Sequence, residues 1–287
     1  MKNSRDIFIK STCARYDRFW LEAPLEKREP LKTALGRVRI CHSFAILSKM
    51  VESGSPKSAI DIGVGRSCYI KKLGGVGITT TVVDAASHPL EELKDHVSAI
   101  YKGCLPYLNQ LDDEKFDLLI CTEVIALLPS SLHRLAVSEL ARLISRRGEA
   151  LISTPLDLYS EDALERFITL IETEFAIEEI KLGFDRIYLF FLRLFQYPSK
   201  IERAKRDHEY RTAALGKRRG ASRRLFLILL HLPSLIICLF RAAFTPFFLL
   251  LQGSERSVRF LQILSKALFG PFGVTHAILR VKPKKLF

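Results

Sequence analysis

The residues best placed to do chemistry lie in Ala59–Ser67, AIDIGVGRS. Three β-permissive residues run into a turn at Gly63-Val64-Gly65, and the carboxylate of Asp61 stands two positions before the first glycine. Glycines without a Cβ let a ligand approach the backbone closely. A nicotinamide fingerprint would need a third glycine, but Cys68 stands at that position. A second carboxylate, Asp84, closes the β-branched run TTTVVD and is followed by Ala85. There it can accept hydrogen bonds from both hydroxyls of a ribose.

Alternation is what must position these groups. SAIDIG, TTTVVD, FDLLICTEV, EALISTP and AIEEIKLGFD read as strands. Between them, SCYIKKLGG reads as a helix stopped by Gly74 and Gly75, and HPLEELKDHVSAIYKG as a helical stretch broken at Gly103. SLHRLAVSELARLISRRG reads as a helix ending at Gly148, and SEDALERFITLIETEF as one capped by Ser160. Strands alternating with helices imply an open parallel sheet with helices on both faces. Residues 1–55 read as an N-terminal helical cap and 56–185 as the core.

The chain has 287 residues and 48% apolar content, enough for one large domain. Its net charge of +13 is unevenly placed. Residues 1–185 carry −3 and residues 186–287 carry +16. Six cysteines without CxxC spacing read as free thiols in a reducing compartment. The first twenty residues contain no apolar stretch long enough for a secretory signal, so the chain is expected on the cytoplasmic side.

Three pieces together resemble the class I S-adenosylmethionine-dependent methyltransferases, in particular the small-molecule branch with the quinone-biosynthesis enzymes. They are Asp61-Gly63-Gly65, Asp84, and the run FDLLICTEV…ELARLI…GEALISTP. The resemblance covers about residues 55–185, with THAILRVKP as a last strand. It implies a doubly wound, mostly parallel, seven-stranded Rossmann-like α/β sheet with S-adenosylmethionine as cofactor. Gly63, Val64 and Gly65 would pack against its methionine part, Asp61 would sit near its amino group or organise the turn, and Asp84 and Ala85 would meet the ribose. Cys104 and Leu105 would contact the adenine by backbone and packing, and Cys121 and Glu123 would line the methionine end. The chain departs from the family in two places. YKGCLPYL lacks an adenine-side aspartate, and Leu127 replaces a histidine. Asp157, after the GEALISTP strand and close to Tyr159, is the candidate general base. His88, His133 and His276 read as surface or capping residues.

Residues 186–272 break the rhythm and read as a basic, apolar helical insertion before the final strand and tail at 273–287. The run Arg223–Gln252, RRLFLILLHLPSLIICLFRAAFTPFFLLLQ, is oily but broken by Pro233, Arg241 and Pro246. A single span would strand the last β-strand on the far side of a membrane. Positive flanks instead favour a hairpin that dips in and returns. A buried helical subdomain or a dimer interface is the alternative. SVRFLQILSKALF reads as an interfacial helix, with Arg259, Gln262 and Lys266 on one side and Phe260, Leu261, Leu264 and Leu268 on the other. The resulting expectation is a membrane-peripheral enzyme on the cytoplasmic face, held to anionic lipid and methylating a lipid or lipid-linked acceptor. The alternatives are an inactive membrane-attached scaffold of the same fold and an RNA methyltransferase. Long apolar runs disfavour nucleic acid as the partner.

Overall fold

The computed structural model describes residues 4–22, 30–66, 68–113, 115–157, 160–192, 246 and 253–284. The oily run 225–251 apart from residue 246, including Cys238, and Tyr159 lie outside the described residues. Two helices come first, α1 (Ser4–Glu22) and α2 (Ala34–Gly54). The core follows as β1 (Ser58–Ile62), α3 (Tyr69–Gly74), β2 (Thr79–Asp84), α4 (Ser87–Leu93) and β3 (Ala99–Lys102). It continues with β4 (Phe116–Thr122), α5 (His133–Leu143), β5 (Ile144–Pro155), α6 (Ala163–Ile171) and β6 (Phe175–Gly183). After a helical stretch at 186–192, α7 (Glu255–Phe269) and β7 (His276–Pro283) complete the fold.

The seven strands form one sheet in the order β3-β2-β1-β4-β5-β7-β6. Six run in one direction, and β7 inserts antiparallel to them between β5 and β6. This is the expected seven-stranded, mostly parallel Rossmann-like methyltransferase sheet. Period-two burial explains its two cores. Ile60 and Ile62 of β1, with Leu119 and Cys121 of β4, pack on the face covered by α5 and α6. Ala59, Leu118 and Ile120 pack on the other face against Ile46, Leu47 and Met50 of α2, Ile70 and Leu73 of α3 and Leu93 of α4. Both faces being covered is why these strands read as near-continuous apolar runs.

Three sequence expectations need correction. The stretch read as a helix up to Gly103 stops at Leu93, and Ala99–Lys102 forms edge strand β3 beside β2. Its alternating burial, with Ile100 exposed, hid it among helical residues. Helix α5 ends at Leu143, not at Gly148, which lies inside β5. A Cβ on Gly148 would come within 2.9 Å of the Asp117 carbonyl, so this glycine permits close strand approach beside the β4/β5 register shift. Finally, Asp162 rather than Ser160 occupies the N-cap of α6.

Helix α2 ties the N-terminal segment to the C-terminal one. Thr33 caps it, accepting from the Gly36 N–H at 3.0 Å. Its first turns bury Ala34, Leu35 and Val38 against Tyr188, Val258 and Leu261. Of the four residues grouped together, Leu261 alone is buried, while Phe260, Leu264 and Leu268 stay exposed. Gln262 also faces inward, donating to Asp185 at 2.7 Å.

Candidate active site

The carboxyl edge of β1, β2 and β4 gathers most of the residues singled out by sequence. After β1 the chain turns through Gly63 at φ +73° and Gly65 at φ +47°, values that favour glycine. The Gly63 and Val64 N–H groups both donate to the Val83 carbonyl, at 2.8 and 3.3 Å, which pins the turn to β2. A Cβ on Gly63 would meet Val124 Cγ2 at 2.2 Å, so the turn is closely packed against the chain beyond β4. Asp61 is buried on the α3 side of the sheet.

Asp84 is held by the same turn. Its Oδ2 accepts from the Gly65 N–H at 2.9 Å and its Oδ1 from the Ala86 N–H at 2.8 Å. Burial pushes its carboxyl above the usual range, against the pull of the Ala86, Gly65 and Ala85 N–H groups. Helix α1 lies across this edge. Its Trp20 is buried against Gly65 and pairs with the His88 ring at 5.9 Å. Asp17 straps it down, accepting from the Ser87 N–H at 2.7 Å and from Lys102 Nζ at 2.9 Å. Phe8 meets Tyr107 edge-on at 5.8 Å, so α1 also covers the loop after β3.

In the other half of the edge, sequence reasoning named Glu123 but missed the residues that hold it. Glu123, just past β4, adopts φ +65°, an uncommon value for a residue with a side chain. Its N–H donates to the Ser153 carbonyl at 2.9 Å, fixing it beside β5. One carboxylate oxygen is hydrogen-bonded to His276 Nε2. Burial would raise the Glu123 carboxyl, but the His276 charge and hydrogen bond and the Arg39 guanidinium outweigh it and hold the group below the usual range. Arg39 lies 4.0 Å from Glu123 and reaches Asp185 with two bonds, at 2.9 and 3.2 Å. Asp185 is fully buried and also accepts from Gln262 and from the Thr275 hydroxyl at 3.2 Å.

His276 is thus a buried partner of a carboxylate, not a surface or capping residue: its side chain is 3% exposed. One signal could have found it. THAILRVKP was already expected as the last strand, and an antiparallel strand beside β5 must begin at the edge where β5 ends. His276 indeed pairs in register with Pro155 and Gly183.

Of the expected site residues, Asp61, Gly63, Val64, Gly65, Asp84, Ala85 and Glu123 come together at this edge. Cys104 is buried, and desolvation pushes its thiol up to about 12. Leu105 and Cys121 turn into the main core, leaving Leu105 only its backbone for a ligand. Asp157 is exposed beyond the end of β5.

Residues 60–152 match the sequence profile of the family described as Methyltransferase domain. These residues carry the turn, Asp84 and Glu123. Residues 60–152 form a methyltransferase domain. Its cofactor is S-adenosylmethionine. None of the curated proteins matches the chain.

Among solved structures, the methyltransferase domain and its flanks are similar to an S-adenosylmethionine-dependent methyltransferase from Archaeoglobus fulgidus. That pair shares 12% identity over 85% of this chain and 94% of the other, at a TM-score of 0.48. A putative sarcosine dimethylglycine methyltransferase from Galdieria sulphuraria shares 14% identity over 84% of each chain, at 0.45. The N-methyltransferase NodS from Bradyrhizobium japonicum WM9, solved with S-adenosyl-L-homocysteine, shares 18% over 61% of this chain and 87% of its own, at 0.41.

The chain's residues fit the cofactor. Gly63 and Gly65 carry no Cβ, so a ligand can approach the backbone of the turn closely. Asp84 keeps acceptor capacity on both oxygens beyond its two backbone bonds, which suits a diol.

Proposed function

We propose that the chain is an S-adenosylmethionine-dependent methyltransferase that works at a membrane surface and methylates a lipid or lipid-linked acceptor. The observation that supports the methyl-transfer half is the Gly63–Gly65 turn locked to Asp84 within the methyltransferase domain. The acceptor half rests on where the insertion is attached. β6 ends at Gly183 and β7 begins at His276, and these two residues are paired at the carboxyl edge. The connection at 184–275 therefore leaves and returns beside the site, and its sequence is basic and oily.

When bound, the cofactor supplies an already activated methyl group, so the protein's task is alignment and exclusion of water. Asp84 would orient the ribose hydroxyls and the glycine turn would seat the methionine part. Helix α1, with Trp20 against Gly65, shields that side from water. Glu123, backed by His276 Nε2, can take a proton on its carboxylate from an acceptor whose nucleophile must lose one. Asp157, exposed beyond β5, is the alternative base.

Calorimetry with S-adenosylmethionine on detergent-purified protein tests the cofactor half. Wild type should bind, and Asp84→Ala should lower affinity by roughly a hundredfold, through lost ribose bonds and a loosened turn. Incubation with radiolabelled S-adenosylmethionine and a membrane extract should then put label into the organic phase. Binding without any transfer would favour an inactive scaffold. Label in RNA would overturn the lipid acceptor.

A further inference from the structure

We propose that the outward face of α7 is a docking surface for an anionic lipid bilayer. The inference rests on the membrane-peripheral part of the reading above and names the surface responsible. Helix α7 has two apolar faces. Val258 and Leu261 are buried against α2 and the 186–192 stretch, and Ser265 is buried on the same side. With about 100° between successive residues, Phe260 and Ile263 fall on the opposite side, and Leu264 and Leu268 lie along the flank between the two faces. They are 64%, 69%, 37% and 66% exposed, and Phe272 beyond the helix end extends the patch at 51%. Soluble monomers rarely leave so many large apolar side chains contiguous in water.

Charge selects the occupant. Arg256, Arg259 and Lys266 are all exposed; Arg259 and Lys266 share one stripe beside Ile263, and Arg256 lies one turn before Phe260. The helix's one carboxylate, Glu255, is engaged by Arg37 at 2.8 Å. A basic row beside an apolar stripe matches a negative headgroup layer above acyl chains. A second copy suits it poorly, because an isologous contact would offer the basic side chains only this same face, whose one carboxylate is already paired with Arg37. RNA would leave the aliphatic side chains without partners. Docking here also orients the enzyme. The turn after α7 leads into His276 at the carboxyl edge, and Gln262 on the helix's inner face reaches Asp185, which holds Arg39 beside Glu123. The candidate site is thereby carried next to the lipid.

The test uses the full chain and vesicles of equal parts phosphatidylcholine and phosphatidylglycerol, brominated on the acyl chains close to the headgroups. Trp20 is the chain's one tryptophan and is buried, so Phe260→Trp adds a reporter on the face itself. Its added emission should shift to the blue and be quenched by the bromines, while wild-type emission stays unchanged. Leu264→Ser with Leu268→Ser should weaken vesicle binding by roughly tenfold or more. Vesicles of phosphatidylcholine alone should bind more weakly.

Vesicle binding that leaves the new tryptophan unquenched would overturn the proposal and move the contact to residues 225–251. A reporter already shielded without lipid would overturn it in favour of coverage by the chain itself or a second copy. Failure of folded protein to bind vesicles, or salt-sensitive RNA binding lost in Phe260→Ser, would overturn it as well. S-adenosylmethionine binding, measured on every sample, separates the two readings. Docking without cofactor binding keeps this surface and sinks the methyltransferase activity, and the reverse sinks only the docking.

Discussion

The two halves of the site edge are built by different physics. Around β1 and β2, a carboxylate and a turn are held by backbone hydrogen bonds between segments about twenty residues apart: Gly65 to Asp84 and Gly63 to Val83. Around β4 and β7, side chains from five distant segments hold one another: Glu123 with His276, Arg39 with Asp185, and Gln262 and Thr275 with Asp185. The first half depends on glycines without side chains. The second depends on charges satisfying charges in a partly dry environment, so its members stand or fall together. The electrostatics differ in sign. Burial dominates at Asp84 and raises its carboxyl, whereas His276 and Arg39 overcome burial at Glu123 and lower it.

The largest expected effect sharpens this contrast in the side-chain half. Asp185→Ala should cost about 3–5 kcal/mol in urea unfolding, because it leaves Arg39, Gln262 and Thr275 without their shared acceptor. A loss under about 1 kcal/mol would show that the network is not cooperative. In the backbone half, Gly63→Ala should cost about 2–4 kcal/mol, from the positive φ and from overlap with Val124. Adding Val124→Ala should recover the overlap part but not the conformational part. Full recovery would mean that φ carries no cost there.

The pH dependence of stability should separate the halves by sign. The Glu123 carboxyl is lowered in the folded state, so its contribution is present above its unfolded value and is lost as pH falls through the folded value. Glu123→Gln should flatten that acid limb. The Asp84 carboxyl is raised, so the folded state holds its proton longer and stability falls as pH rises from the unfolded value through the folded one. Asp84→Asn should remove that decline. Urea midpoints across the acid range measure both, and slopes of equal sign would break the contrast.

The smallest effect is a control. Lys49 meets Glu179 at 2.8 Å on the surface, and Lys49→Ala should change stability by about 0.5 kcal/mol or less. A loss comparable to that of Asp185→Ala would mean that burial is not what sets the two ion pairs apart.

How much was legible follows from range. The glycine turn and Asp84 could be read because both lie in short stretches: two glycines directly follow one apolar run, and a carboxylate directly closes the β-branched run after it, as the resemblance implies. The sheet was legible because period-two apolar runs announce buried strands, as SAIDI and FDLLICT do. Edge strand β3 was not, because one exposed side and four residues leave little pattern. Leu261 and Gln262 stand at the inner edges of the two faces to which they were assigned, and sequence cannot say where around the helix α2 and Asp185 will meet it.

The sequence by itself determined the parallel sheet, the Gly63–Gly65 turn, the carboxylate at Asp84 and the concentration of positive charge after residue 185. Each follows from neighbouring residues or from composition. Only the tertiary structure decided that His276 backs Glu123, that Arg39 and Gln262 share Asp185, and that Trp20 closes over Gly65. Those pairings join residues far apart in the chain. They exist because β7 inserts antiparallel between β5 and β6 and because α2 packs against both the sheet and α7. A histidine or arginine in isolation carries no mark of the partner that folding will bring to it.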